Sequence, residues 1–232
     1  MNRVLVDYRI DEIEKLNLLK LNLEVILCPP CEDLYNAVCG HPDMLVHFIN
    51  EKTLLVHKSM PNQFISYLER NDLKIIFSKD ELKINYPKDI ILNAISLKDF
   101  FIHILAFTDK NLLNSINNKK LINVKQGYSK CSTAIINDQA IITSDKGICS
   151  ALSYEGLDVL LLPPGDILLP GLNYGFIGGC CGLINKSQLL FYGNLDFYLY
   201  GNEVKDFLKK YGVEPIYLRN GKLIDRGSLI AF

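Results

Sequence analysis

Two stretches of the chain decide the fold: Glu24–Cys31 reads EVILCPPC, and Asp158–Gly165 reads DVLLLPPG. Each has an acidic residue, four apolar residues and a Pro-Pro turn, and each is followed by a glycine-containing segment and a new apolar run. Similar apolar runs recur about every 46 residues, a spacing typical of a repeated structural unit. They start near Met44, Ile90, Ala134, Cys180 and Leu229.

Each repeat has the same internal order. The first apolar run is followed by a polar turn and a second run such as Leu54–Val56, which predicts a β-hairpin. Apolar residues at helical spacing come next, for example Phe64 and Leu68. A third apolar run, such as Ile75–Phe77, closes the unit. The pattern predicts a ββαβ unit.

The fifth unit is split between the two ends of the chain. Leu229–Phe232 supplies a first strand, and Val4–Val6 supplies the second strand that it lacks. Pairing them would leave no exposed sheet edge, which favours closure. We therefore expect an α/β fold in one domain, residues 1–232: a five-fold α/β-propeller whose ring is closed by its terminal strands. The alternative is an ordinary two-domain α/β protein in which the repeats are coincidental.

Composition limits the partners. The chain has 25 basic and 26 acidic side chains, so a nucleic-acid or polybasic membrane binder is not expected. The uncharged stretch 167–185 is long enough to span a bilayer, but its proline and glycines favour a loop and a strand. Asp7 interrupts the N-terminal apolar run too early for a signal peptide. Seven cysteines are too few for a disulfide scaffold, so a cytoplasmic protein is expected, and a homo-oligomer is left open.

The five-fold unit resembles the pentein or α/β-propeller fold of guanidino-group-modifying enzymes, and also an uncharacterised bacterial pentein-like family. Cys180–Lys186 (CCGLINK) is similar to the Cys-Cys-Ser-x-Leu-Ile-Asn-Lys strand of dimethylarginine hydrolases, in which the first cysteine is the nucleophile. Gly40–Leu45 (GHPDML) resembles their Asp-Gly-Gly-Asp-Val-Leu segment, whose last Asp grips the guanidinium. The resemblance implies a small guanidino or amidine substrate, with hydrolysis and amidino transfer both open.

The resemblance gives Cys180 the role of nucleophile and Asp43 that of cation anchor. The family places a catalytic His where this chain has Tyr86–Asp89 (YPKD), so His41 is the candidate proton carrier instead. Further polar residues at the strand starts complete a predicted ligand-binding funnel: Asp89, Lys130 and Asp225. A second candidate thiol is Cys131, because the neighbouring Lys130 would lower the pKa of its thiol.

Three alternatives accompany this hypothesis. Free cysteines are usually small buried apolar residues, and Cys180 fits that description as well. The spacing of Cys28, Cys31, Cys39 and His41 suits zinc, but the turn at Asp158–Gly165 recurs without cysteines, so neither a metal nor a cofactor is expected. Without the family's His, the chain is equally typical of a non-catalytic binding protein on the same fold.

Overall fold

A computed structural model describes residues 3–232, in which fifteen strands form five separate three-stranded sheets. The sheets are, in chain order: β1 (Arg3–Asp7) and β2 (Glu24–Cys28) with β15 (Ile230–Ala231); β3 (Val46–Asn50), β4 (Thr53–Val56) and β5 (Lys74–Phe77); β6 (Ile95–Ser96), β7 (Phe100–His103) and β8 (Lys120–Asn123); β9 (Thr133–Asn137), β10 (Ala140–Thr143) and β11 (Asp158–Leu161); β12 (Cys181–Asn185), β13 (Gln188–Phe191) and β14 (Glu214–Tyr217).

The five sheets have one topology. In each, the first strand pairs antiparallel with the middle strand, and the middle strand pairs parallel with the third. The terminal strands follow the same rule: Val4 lies opposite Ala231 and Leu5 opposite Ile230. The predicted repeat and the predicted pairing of the chain ends are therefore confirmed.

The prediction of a closed ring needs a correction. Within residues 3–232 the hydrogen-bonded strands remain in five sheets of three, and no sheet closes on itself. The terminal pairing completes the first sheet rather than sealing one continuous sheet. The reason is local, because each first strand is bonded to its own hairpin partner.

Helices join the middle strand to the third strand of each unit, because a parallel pair needs a crossover connection. They are α1 (Glu12–Lys20), α3 (Asn62–Arg70), α4 (Lys110–Ser115), α5 (Lys146–Tyr154) and α6 (Gly201–Lys210), while the short α2 (Pro42–Leu45) precedes β3. Phe64 and Leu68 of α3 are buried, as the helical spacing predicts. Asp109 caps α4 by accepting the backbone N–H groups of Asn111 and Leu112.

The uncharged stretch 167–185 forms loop, a short turn and strand β12, as predicted. Among the residues described, the helices are too short or too polar for any of them to cross a bilayer.

Candidate functional site

The segments that precede the first strands of the five sheets meet one another. Each lies one to three residues ahead of its strand, and each is hydrogen-bonded to the segment of a neighbouring unit. The residues that make these links are Asp43, Asn93, Lys130, Cys131, Gly179, Gly227 and Ser228.

The first half of this arrangement centres on Asn93. The backbone N–H of Asp43 donates to the carbonyl of Gly227 at 3.1 Å, and the side-chain amide of Asn93 donates to the carbonyl of Asp43 at 3.1 Å. The backbone N–H of Lys130 donates to both oxygens of Asn93, at 3.1 Å to the backbone and 2.9 Å to the side chain. Asn93, which precedes β6, therefore links the segment before β3 to the segment before β9.

The remaining hydrogen bonds link the segment before β9 to the segment before β12, and that segment to the one before β15. Gly179 N–H donates to the carbonyl of Cys131 at 3.0 Å, and Ser228 N–H donates to the carbonyl of Gly179 at 2.8 Å. An alanine Cβ at Gly179 would lie 2.0 Å from Oδ1 of Asp225, so a side chain there is excluded. The hydrogen bonds between the five segments form a closed cycle, although the sheets do not.

Asp43 is one of the residues linked in this cycle, and its side chain is buried. Its Oδ2 accepts the Ser228 hydroxyl at 2.6 Å and the Cys131 thiol at 3.2 Å. Lys130 Nζ donates to the same hydroxyl at 2.9 Å, so the lysine is linked to Asp43 through Ser228. Among the described residues, the buried Oδ1 of Asp43 has no hydrogen-bond partner.

His41 lies between two buried carboxylates. Its Nε2 is 3.9 Å from Oδ2 of Asp7, and its Nδ1 is 3.8 Å from Oδ1 of Asp225. Asp7 is already engaged by Arg9, whereas Asp225 accepts backbone N–H groups from Phe176 and Gly227. Burial raises the pKa of Asp225, the charge of His41 opposes that rise, and Asp43 adds to it. Among the described residues, the histidine therefore lies between a carboxylate paired with an arginine and a carboxylate held by backbone N–H groups.

A cavity of about 340 Å³ opens beside these residues. Its polar wall contains His41, Cys131, Asp225 and Asn173, and its apolar wall contains Val38, Leu169 and Leu172. Four aromatic rings complete the lining: Tyr35, Tyr128, Tyr174 and Phe176. The Tyr128 and Phe176 rings are stacked with centroids 6.1 Å apart, and Tyr174 meets Phe176 edge-on at 6.0 Å. The volume lies at the lower end of the range for small-molecule sites.

Of the two predicted catalytic residues, His41 lines the cavity and Cys180 does not. Cys180 is fully buried in an apolar cluster, and its thiol donates to the carbonyl of Ile177 at 3.0 Å. Burial raises the pKa of the Cys180 thiol well above its ordinary value, with Cys181 next in effect. Its role as nucleophile stays a prediction, and the thiol that shares the cavity with His41 is Cys131.

The pKa of the Cys131 thiol is also raised well above its ordinary value. Burial raises the pKa of this thiol, and the negative charges of Asp43 and Asp225 raise it further. The lowering expected from Lys130 does not outweigh these effects. The reason is geometric, because the ammonium group of Lys130 is directed to the hydroxyl of Ser228.

Asp89 contributes to the site through a neighbour. The Tyr128 hydroxyl donates to Oδ2 of Asp89 at 2.5 Å, and the ring of Tyr128 lines the cavity. Burial raises the pKa of Asp89, and the hydrogen bond from Tyr128 opposes that rise. Asp89 therefore holds an aromatic wall residue rather than lining the cavity itself.

The four residues considered for zinc do not form a ligand set among residues 3–232. Cys28 belongs to the apolar core, Cys39 contacts Asn36, and His41 lies between its carboxylates. Among the described residues, these four side chains therefore do not meet at one point.

A different set of possible ligands does come together: Cys31, Asp33 and His57. The Cys31 sulfur is 3.8 Å from the Asp33 carboxylate and 3.8 Å from Nδ1 of His57. However, Nε2 of His57 accepts the backbone N–H of Leu82 at 3.1 Å, which leaves the proton of a neutral ring on Nδ1. Metal-binding histidines normally donate from their second nitrogen, so this orientation disfavours a metal at His57.

Sequence reasoning missed three residues of the site: Asn93, Tyr128 and Ser228. Asn93 and Ser228 both stand two residues before a first strand, and Asp43 and Lys130 stand three before theirs. A comparison of the repeats at these positions would have found Asn93 and Ser228. No sequence signal marked Tyr128, because its contacts depend on distant loops.

The pentein-type fold that the sequence predicts is shared with three solved structures. An inosamine-phosphate amidinotransferase, StrB1 from Streptomyces griseus, is 8% identical, with a TM-score of 0.60 over 99% of this chain and 93% of its own. C. jejuni agmatine deiminase is 12% identical, with a TM-score of 0.59 over 94% and 86%. A DDAH mutant from Pseudomonas aeruginosa, complexed with citrulline, is 9% identical, with a TM-score of 0.55 over 93% and 91%.

The chain belongs to the family described as "Family of unknown function (DUF6873)", which it matches over residues 5–230. No curated protein matches the chain.

Proposed function

We propose that this protein binds a small molecule with a guanidinium or amidinium group in the cavity and modifies it through the Cys131 thiol. The single observation that carries the proposal is the meeting of His41, Cys131 and Asp225 in one aromatic-lined cavity, with Asp43 hydrogen-bonded to the thiol. We further propose that the five sheets surround a common axis, with the cavity at its mouth. The closed cycle of hydrogen bonds supports that arrangement.

The charge balance of the site favours a cationic ligand. Asp43 and Asp225 are buried, whereas the nearby Lys130 is held by Ser228. A carboxylate accepts two hydrogen bonds from a planar guanidinium, and aromatic faces attract the same cation. Asp225 is the proposed anchor because it lines the cavity directly, and Asp43 is the proposed partner of the thiol.

The proposed reaction begins with attack by the Cys131 sulfur on the central carbon of the bound amidine or guanidine. The thiol proton passes to Oδ2 of Asp43, to which the thiol is hydrogen-bonded. A carbon–sulfur bond forms, a carbon–nitrogen bond breaks, and His41 supplies the proton with which the amine leaves. Water then releases the product in a hydrolase, and a second amine does so in an amidinotransferase.

A bound cation would also activate the thiol. The charges of Asp43 and Asp225 raise the pKa of Cys131, and a positive ligand beside these carboxylates offsets that effect. We therefore expect the thiol to react faster with a cationic reagent than with a neutral one of the same shape.

The test compares 2-chloroacetamidine with its neutral counterpart 2-chloroacetamide at pH 7.5. Peptide mass spectrometry follows each of the seven cysteines over time. We expect Cys131 to show the largest ratio of amidine to amide labelling, and Asp225→Asn to reduce that ratio about tenfold. Cys149, which is partly exposed, serves as the internal control and should show a ratio near one.

Preferential amidine labelling of Cys180 would contradict the assignment of Cys131 and restore the nucleophile that the sequence predicts. Equal ratios at all seven cysteines would contradict the proposed function. The variant Cys131→Ser should keep ligand binding while losing amidine-specific labelling.

A non-catalytic binding protein is the second candidate. The observation that favours it is that burial raises the pKa of four thiols, those of Cys28, Cys31, Cys131 and Cys180. Binding of a guanidino compound by calorimetry, without release of ammonia or an amine over many hours, would select this function.

A further inference from the structure

We infer that the ligand of this cavity carries no carboxylate: its substrate class is a guanidine or amidine on an apolar or aromatic tail, not an amino acid. The inference rests on the proposed function and specifies the part of the ligand that does not react. It follows from the walls of the cavity and from the contacts of the cations around it.

The cavity offers no uncommitted cation for a carboxylate. Within residues 3–232 its lining contains neither lysine nor arginine, and its one histidine, His41, already lies between the carboxylates of Asp7 and Asp225. Asn173 is the one amide group there. A carboxylate placed among these side chains would lose solvation without gaining a charged partner, which is costly.

Two arginines line a smaller recess of about 110 Å³, which shares His41, Leu169 and Asp225 with the cavity. Arg9 donates to the Asp7 carboxylate from Nε and to the carbonyl of Asn36 from Nη1. Arg226 donates to the carbonyl of Arg9 from Nη1, and its Nη2 and Nε form ion pairs with Asp11 and Glu14. Both guanidinium groups are therefore paired with carboxylates of the protein itself.

Lys130 is the third nearby cation, and its Nζ is bonded to Ser228, which in turn is bonded to Asp43. Moving this ammonium group toward a ligand would leave the buried Asp43 without its indirect counter-ion. All three cations near the cavity are therefore committed to the protein itself.

The apolar walls indicate what the tail is instead. The rings of Tyr128 and Phe176 stack on each other and both line the cavity, as does Leu172 from the loop after β11. Leu172 is 47% exposed, so an apolar tail would remove water from this leucine and from the rings.

The test uses calorimetric titration of the intact chain with two matched pairs of probes. Agmatine and arginine differ by one carboxylate, and benzylguanidine and methylguanidine differ by an aromatic ring. We expect agmatine to bind at least about tenfold more tightly than arginine, and benzylguanidine at least about tenfold more tightly than methylguanidine.

Equal or tighter binding of arginine would overturn this inference and leave the proposed function intact. Failure of all four probes to bind would count against the proposed function itself, so the two failures are distinguishable.

A pair of variants tests the position of the tail. Leu172→Arg places a cation on the cavity wall and should shift the agmatine-to-arginine preference toward arginine by about tenfold. Leu168→Arg is the matched control, because Leu168 lies on the same loop with the same 47% exposure but outside the cavity lining. An equal shift in both variants would indicate a general charge effect and contradict the assigned wall.

Discussion

Gly227 is the backbone position on which the arrangement of His41 most directly depends. Its φ is +69°, and an alanine Cβ built there would lie 2.1 Å from Cβ of His41. The carbonyl of Gly227 also accepts the backbone N–H of Asp43. Gly227→Ala should therefore strain the backbone and displace two residues of the candidate site together.

The size of the effect follows from two contributions. An L-residue in the left-handed region costs roughly 1–2 kcal/mol. Overpacking a filled site costs typically about 1–3 kcal/mol more. We expect Gly227→Ala to lower the free energy of unfolding by about 2–5 kcal/mol.

Gly212→Ala is the matched control. Gly212 has a φ of +66°, but nothing lies within 4 Å of a Cβ built there. This variant should show the backbone contribution alone, about 1–2 kcal/mol. Urea unfolding of both variants, followed by circular dichroism, gives the difference between them as the cost of the contact with His41.

Equal losses in the two variants would refute the reasoning, since they would mean that His41 yields to the added methyl group without cost. Pairing Gly227→Ala with His41→Gly provides the converse check. Removing the His41 side chain should recover some of the loss that exceeds the Gly212→Ala value, because the Cα of residue 41 would still lie 2.5 Å from the added methyl group.

Three further predictions concern stability. Burial lowers the pKa of His103 to about 4, so the unfolded chain binds a proton at this residue before the folded protein does. The free energy of unfolding should therefore fall as the pH drops from about 6.5 toward 4, by about 1.4 kcal/mol per pH unit. Urea midpoints at pH 7.5 and 5.5 measure this fall, and His103→Asn should show a smaller pH dependence. Asn93→Ala removes a buried side chain that bonds two neighbouring segments and should cost about 2–4 kcal/mol by urea unfolding, whereas a loss below about 1 kcal/mol would contradict its linking role. Arg226→Gln leaves the buried Glu14 carboxylate without its 2.9 Å partner and should cost about 3–5 kcal/mol, most of it recovered when Glu14→Gln is added; no recovery in the double variant would contradict the pairing.

Much of the fold could be predicted because the same ββαβ pattern of apolar runs recurs along the sequence. Val4–Val6 lacks the first strand of its unit, and Leu229–Phe232 lacks the second strand of its unit. The pairing of these two apolar runs follows from that deficit. The sequence pattern could not show that the sheets stay separate, because alternation and turns report hairpins rather than contacts between sheets.

The candidate site was predicted less completely, and Cys131 and Cys180 show why. Both stand just before a first strand, yet Cys131 is two residues ahead of Thr133 and Cys180 is one residue ahead of Cys181. Cys131 lies in a turn and Cys180 ends the short helical turn Gly178–Cys180, so a different local backbone directs Cys131 to the cavity and Cys180 into the apolar core. Motif similarity at Cys180 carries no information about that difference.

The pairing of β1 with β15 also determines the order in which the protein can be completed during synthesis. Strand β1 leaves the ribosome early, but its antiparallel partner is made more than two hundred residues later. Asp225, Gly227 and Ser228 emerge at the same late moment. A nascent chain therefore holds an unfinished first sheet and an unfinished cavity together, and both are completed by the same few residues.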